Sequence, residues 1–165
     1  MPAVSNSSPL IHLSALGDLD FLPRLFGHIS IPVAVFREVV EEGSGQPGAR
    51  EVETAIGDWI TVHPVQHSSA VNSLMDQTGI HRGEAEAIVL AGELPSRLLL
   101  LDDQAAVTAA GALSITVIRT PAVYIAAKRA GLTTSVRPKL DGLRNSGFRL
   151  RESHYQLILK SAGEL

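Results

Sequence analysis

Short β-branched or leucine-rich runs alternate along this chain with longer stretches whose apolar residues recur at helical spacing. Ala3 to Asn6, His28 to Ile31, Trp59 to Val62, Leu98 to Leu101 and Ile115 to Ile118 read as strands. The run Leu98 to Leu101 is the most telling: four consecutive leucines have no polar face, which predicts a strand buried on both sides. Between the strands the pattern predicts helices. Ser8 offers an N-cap with Pro9 at the first helical position, and that helix runs through Leu16 to a stop at Gly17. Asp18 to Phe26 follows, then PVAVFREVVEE from Pro32, with Val35 and Val39 on an inward stripe and Gly43 as its end. Further helices are expected over Ala49 to Ile56, Gln66 to Met75, Glu84 to Glu93, Asp103 to Ala112 and Pro121 to Ala130, and two last ones over Val136 to Asn145 and Arg151 to Ala162. There is no internal repeat and no long linker. Strands alternating with helices in this way predict a three-layer α/β/α fold with a central parallel sheet, one domain over residues 1–165 with a helical C-terminal region from about 135.

Composition narrows the class of protein. A chain of 165 residues, 45% hydrophobic and 19% charged, has the make-up of a folded domain and excludes a disordered or fibrous one. No apolar stretch approaches the roughly 20 residues of a membrane helix, and MPAVSNSSPL lacks the basic start and apolar run of a secretory signal. The expectation is a soluble cytoplasmic protein with no membrane partner. The absence of cysteine excludes disulfides, thiolate catalysis and Cys-ligated zinc. Charge is unevenly spread: residues 1–118 carry 5 Lys and Arg against 14 Asp and Glu, and residues 119–165 carry 9 against 3. A basic end on an acidic body points to nucleic acid or an acidic partner, or simply complements the body's own charge.

Carboxylates recur at matching places in the predicted topology. Glu38 lies in the helix after the second strand, Glu84 and Glu86 in the first turns of the helix before the leucine strand, and Asp102 and Asp103 directly after that strand. Ligands of open α/β sheets bind outside the carboxyl ends of the strands. Carboxylates gathered there repel one another unless a cation intervenes. Mg²⁺ or Mn²⁺ suits oxygen ligands and leaves positions for a phosphate and an attacking hydroxide. Each residue has a plainer alternative. Glu38 can be a solvated helix residue like Glu41 and Glu42. Glu84 and Glu86, two apart on a helix, point to different faces, so one of them reaches a shared site. One of Asp102 and Asp103 can cap the next helix.

Other chemistries find little support. GSGQPG, Gly43 to Gly48, has the spacing of a dinucleotide-binding turn, yet it follows a helix and contains Pro47, which makes it a loop. No P-loop and no G-x-S-x-G elbow is present. The six histidines are scattered; His63 and His67 straddle Pro64, and His81 beside Arg82 reads as a loop histidine that could approach phosphate.

The segments VSNSSPLI, IPVAVFREVVEE, GEAEAIVLA, LLLLDDQAA and RPKLDGLRNSGFRL follow the order and spacing of a branch of the PIN domains often labelled DUF3368. The chain resembles that branch from about Val4 to Glu164. The resemblance implies a three-layer α/β fold and a metal-dependent endoribonuclease using Mg²⁺ or Mn²⁺. It further implies a toxin of the toxin–antitoxin type, held in check by a small cognate antitoxin protein and commonly homodimeric. The family's acidic site maps onto the position of Asn6 and onto Glu38, Glu84 or Glu86, and Asp102 or Asp103. PIN nucleases usually end the first strand in aspartate, so Asn6 removes one negative charge, and the alternative is a weakened PIN-fold module that binds RNA or a protein partner without cleavage. Arg119, Lys128, Arg129, Arg137, Lys139 and Arg144 are the basic residues expected to track RNA phosphates.

Overall fold

The computed structural model describes all of residues 1–165. The chain enters through β1 (Ala3–Ser5), α1 (Ser7–Ala15) and α2 (Phe21–Phe26), then β2 (Ile29–Pro32) and α3 (Val33–Phe36). A π-helical turn over Arg37–Glu41 continues α3, followed by α4 (Ala49–Ala55), β3 (Ile60–His63), α5 (Ser68–Thr78) and α6 (Arg82–Glu93). After β4 (Leu98–Leu100) come α7 (Gln104–Ala112), β5 (Thr116–Ile118), α8 (Thr120–Arg129), α9 (Arg137–Asn145) and α10 (Glu152–Ser161). No helix is long and apolar enough to cross a membrane.

The five strands form one parallel sheet in the order β3-β2-β1-β4-β5. Val4 lies beside both Ser30 and Leu99, and Leu99 beside Val117. The leucine run alternates across this sheet as the pleat demands. Leu100 joins a core with Ala3, Ile29 and Ile31 under α1, α2 and α8 to α10, while Leu99 and Leu101 join Val4 under α5, α6 and α7. These two apolar cores, one on each face, make the three layers.

Element ends differ from the pattern in instructive ways. The first helix begins at Ser7 rather than after Ser8, so Asn6 is its N-cap and Pro9 falls third in the helix, where a missing N–H leaves no gap because the first turn's N–H groups have no intrahelical partner. The second helix starts at Phe21, three residues after Asp18, since Asp18 is drawn into the interior by Tyr124 and Lys139. The helix after Pro32 does not run evenly: the π turn inserts an extra residue between α3 and the Gly43 loop. Periodicity cannot foresee that insertion, because Val35 and Val39 remain buried across it.

Candidate metal and nucleic-acid site

Strand order reverses between β1 and β4: the chain moves outward one way through β2 and β3 and the other way through β5. At such a switch point the two following helices diverge and leave a crevice at the strands' carboxyl ends. Asn6 N–H donates to the Leu100 carbonyl at 3.0 Å, and Leu101 N–H to Ile118 at 3.1 Å, which sets the residues after β1, β4 and β5 side by side at that edge. A cleft of about 850 Å³ opens there, lined by Asn6, Ser7, Ser8, His12, Glu38, His81, Glu84, Asp102, Asp103, Gln104 and Arg119, with the loop from Gly147 to Arg151 and His154 closing one side.

Asn6 Oδ1 is buried without a hydrogen-bond partner. The local sequence explains it. An Asn at the N-cap ordinarily accepts from the second or third N–H of its helix, but the third residue here is Pro9, which has none, and Asn6 makes no side-chain cap bond. An amide oxygen left bare in a cleft costs about 1–3 kcal/mol unless something occupies it.

The two aspartates after β4 have different tasks. Asp103 caps α7, its Oδ2 accepting from Ala106 N–H at 3.0 Å. Asp102 binds the start of α8, accepting from Thr120 N–H at 2.8 Å and Thr120 Oγ1 at 2.7 Å, and also from Ser8 Oγ at 2.9 Å. It supplies the acceptor that α8 lacks, since its own N-cap residue, Arg119, carries only donors.

Glu38 and Glu84 meet across the cleft floor. Glu38 accepts from Ser7 Oγ, and Glu84 Oε1 accepts from His81 N–H at 3.3 Å and lies 3.2 Å from His81 Nε2. Burial pushes the Glu84 carboxyl above the usual range; His81 opposes this, and the negative charges of Asp103 and Glu38 add to it. Gly83 makes room for Glu38: a Cβ on Gly83 would sit 2.1 Å from Glu38 Oε1. Glu86 does not line the cleft. Two residues on from Glu84, it accepts from Ala34 N–H at 3.1 Å and caps α3 in place of Pro32, whose side chain cannot.

Of the basic residues read from the sequence, Arg119 alone lines the cleft. Lys128 bonds Glu164 and the Ala162 carbonyl, and Arg137 reaches the Glu164 carbonyl. Lys139 holds Asp18 at 2.9 Å and Arg144 holds Glu152 at 2.9 Å; Arg129 ends α8 outside the cleft. The positive wall comes from Arg119, Arg149 and Arg151, and His12, His81 and His154 also line the cleft. Arg149 and Arg151 lie in the loop between α9 and α10 and flank Leu150; that Arg-Leu-Arg alternation was the available signal, since an extended segment puts both arginines on one side. Burial pulls the His12 imidazole below its ordinary value, against the pull of Asp102, and Phe148 packs edge-on against its ring at 5.0 Å.

The donors on the cleft floor are all hard oxygens, an amide and carboxylates, and suit a divalent cation of the Mg²⁺ type. No three His, Asp or Glu side chains stand at mutual chelating distance. Mg²⁺ usually keeps several waters and takes only one or two carboxylates, and the bare Asn6 oxygen with the carboxylates that line the same cleft meets that demand.

An all-parallel sheet with an acidic cleft at its switch point is the architecture of a PIN domain, a class generally made up of metal-dependent nucleases. The chain belongs to the family DUF3368, a PIN domain, whose profile matches residues 2–164. No curated protein and no solved structure matches it.

Proposed function

We propose that this protein is a divalent-metal-dependent endoribonuclease that hydrolyses phosphodiester bonds in RNA. The observation that carries the reading is the opposition of charge in one cleft: Glu38, Glu84 and Asp103 with the bare Asn6 oxygen on its floor, and Arg119, Arg149 and Arg151 on its wall. Carboxylates on the floor of a cleft that only bound RNA would repel the phosphates its arginines attract, and a cation between them removes that conflict.

In this reading Asn6, Glu38, Glu84 and Asp103 surround Mg²⁺ or Mn²⁺, one or two of the carboxylates directly and the rest through its waters, while Asp102 fixes the backbone that carries Arg119 and Asp103. When bound, the cation neutralises the phosphate and lowers the pKa of the attacking water. Arg119, Arg149 and Arg151 engage the phosphate oxygens, and the guanidinium fork matches their geometry. The His81 backbone N–H donates to Glu84 Oε1 and holds that carboxylate in place. Within the PIN class we place the chain among the toxins of toxin–antitoxin pairs, homodimeric and silenced by a small partner protein, as its sequence resemblance implies. Growth arrest on expression, relieved by a small protein encoded beside it, checks that part.

Calorimetric titration with Mn²⁺, repeated on Glu38→Gln and Glu84→Gln, tests the site. Binding that weakens at least tenfold in each variant, together with metal-dependent cleavage of RNA by the wild type, is the expected result. RNA binding without any Mn²⁺ binding at millimolar concentration overturns it in favour of a module that binds without cleaving.

A further inference from the structure

The cleft continues into a second hollow of about 430 Å³ whose character is different. Ile125 and Pro121 from α8, Leu157 and Ile158 from α10 and Leu150 line it, so half of its walls are apolar. The two hollows share Asp102, Gln104, Arg119, Phe148, Arg149 and His154, so the charged mouth of one is the charged mouth of the other. Leu157 stands 60% exposed on its outer lip, although the buried face of α10 is already satisfied by Tyr155 and Leu159. An apolar side chain left in water beside a basic mouth calls for a ligand that is flat and apolar at one end and anionic at the other.

We infer that this pouch takes the nucleobase next to the scissile phosphate, with Arg119 and Arg149 on the phosphate and the apolar walls of α8 and α10 against the base. The inference rests on the nuclease reading and extends it from the reaction to the substrate's immediate neighbour. The occupant is chosen by charge: Arg119 and Arg149 are shared with the phosphate-binding cleft while the walls from α8 and α10 are apolar, which matches a nucleotide, and single-stranded RNA is recognised by bases splayed into apolar and aromatic pockets. Gln104 and His154 at the lip supply the polar groups that meet a base edge.

The test is a methyl NMR titration of the full chain in millimolar Mg²⁺ with cytidine 5′-monophosphate, adenosine 5′-monophosphate and ribose 5-phosphate. The nucleotides are expected to shift the Ile125, Leu157 and Ile158 methyls, and ribose 5-phosphate to leave them unmoved. Ala122→Leu, at an exposed position that faces the pouch, and Leu157→Ser on its lip should each weaken nucleotide binding, roughly tenfold for the first if a full base stack is lost, and leave ribose 5-phosphate binding unchanged. Methyls that ignore the nucleotides, or respond equally to ribose 5-phosphate, overturn the proposal, the first result leaving the pouch to an apolar side chain of a protein partner. Cleavage of RNA with unmoved methyls removes the pouch and keeps the nuclease; moved methyls without cleavage do the reverse.

Discussion

Asn6 and Gly83 are two small residues that set the cleft floor. Replacing Asn6 by Asp adds a charge where other carboxylates already repel. Two unit charges about 4 Å apart at an effective dielectric near 20 interact by about 4 kcal/mol, before the cost of desolvating the new carboxylate. The expected outcome is a lower melting temperature for Asn6→Asp without metal, a higher one with Mn²⁺, and at least tenfold tighter Mn²⁺ binding by calorimetry. An unchanged affinity would place residue 6 outside the site. Gly83→Ala should separate site from scaffold. Alanine favours a helix over glycine by about 1 kcal/mol, yet its methyl displaces the Glu38 carboxylate, so thermal stability should hold while Mn²⁺ affinity falls.

Helix ends account for several charges that a linear reading assigns to chemistry. Asp103 caps α7, Glu86 caps α3 and Asp102 caps α8. Glu86→Gln should therefore leave Mn²⁺ binding and cleavage unchanged and cost about 1 kcal/mol in chemical denaturation. Glu164 does similar work at the far end, accepting from Val136 N–H at 2.7 Å, Arg137 N–H, Ser135 and Lys128, so that it joins α8 to the start of α9. Burial alone would raise its carboxyl, but those hydrogen bonds outweigh it and hold it at about 2, against an ordinary 4.5. A carboxylate lowered by folding stabilises fully above its unfolded value and loses that contribution as pH falls towards its folded one. Thermal melts of wild type and Glu164→Gln should thus differ most above about pH 4.5 and converge towards pH 2.

The whole molecule was legible wherever burial alone decides structure. Four leucines followed by two carboxylates gave the strand, the parallel sheet and its acidic edge, because a residue with no polar neighbour has one place to go. The phase of Glu84 against Glu86 was legible only as a choice, since both sit on one helix and only the packing of α3 against α6 selects between them. The basic wall was legible at Arg119 but not at its partners: overall charge pointed to the C-terminal region at large, but Lys128, Lys139 and Arg144 are held in ion pairs. The loop arginines reach the cleft through long-range folding. RNA affinity should accordingly follow salt with a slope near −0.7 for each phosphate neutralised, about −2 for Arg119, Arg149 and Arg151 together. Arg149→Ala and Arg151→Ala should each flatten the slope by about 0.7, and Arg144→Ala should not.

The grip of Asp102 on Thr120 and Ser8 bears on how an inactive variant of this protein would be interpreted. Removing the aspartate that follows β4 is a natural way to silence such an enzyme, yet here it also releases the first turn of α8 and the anchor of α1. A dead Asp102→Ala protein would report a loosened scaffold as readily as a missing ligand. Glu38, whose carboxylate accepts one hydrogen bond, from the Ser7 hydroxyl, lies 4.0 Å from the His81 ring and caps no helix, is the position at which lost activity can be read as lost chemistry.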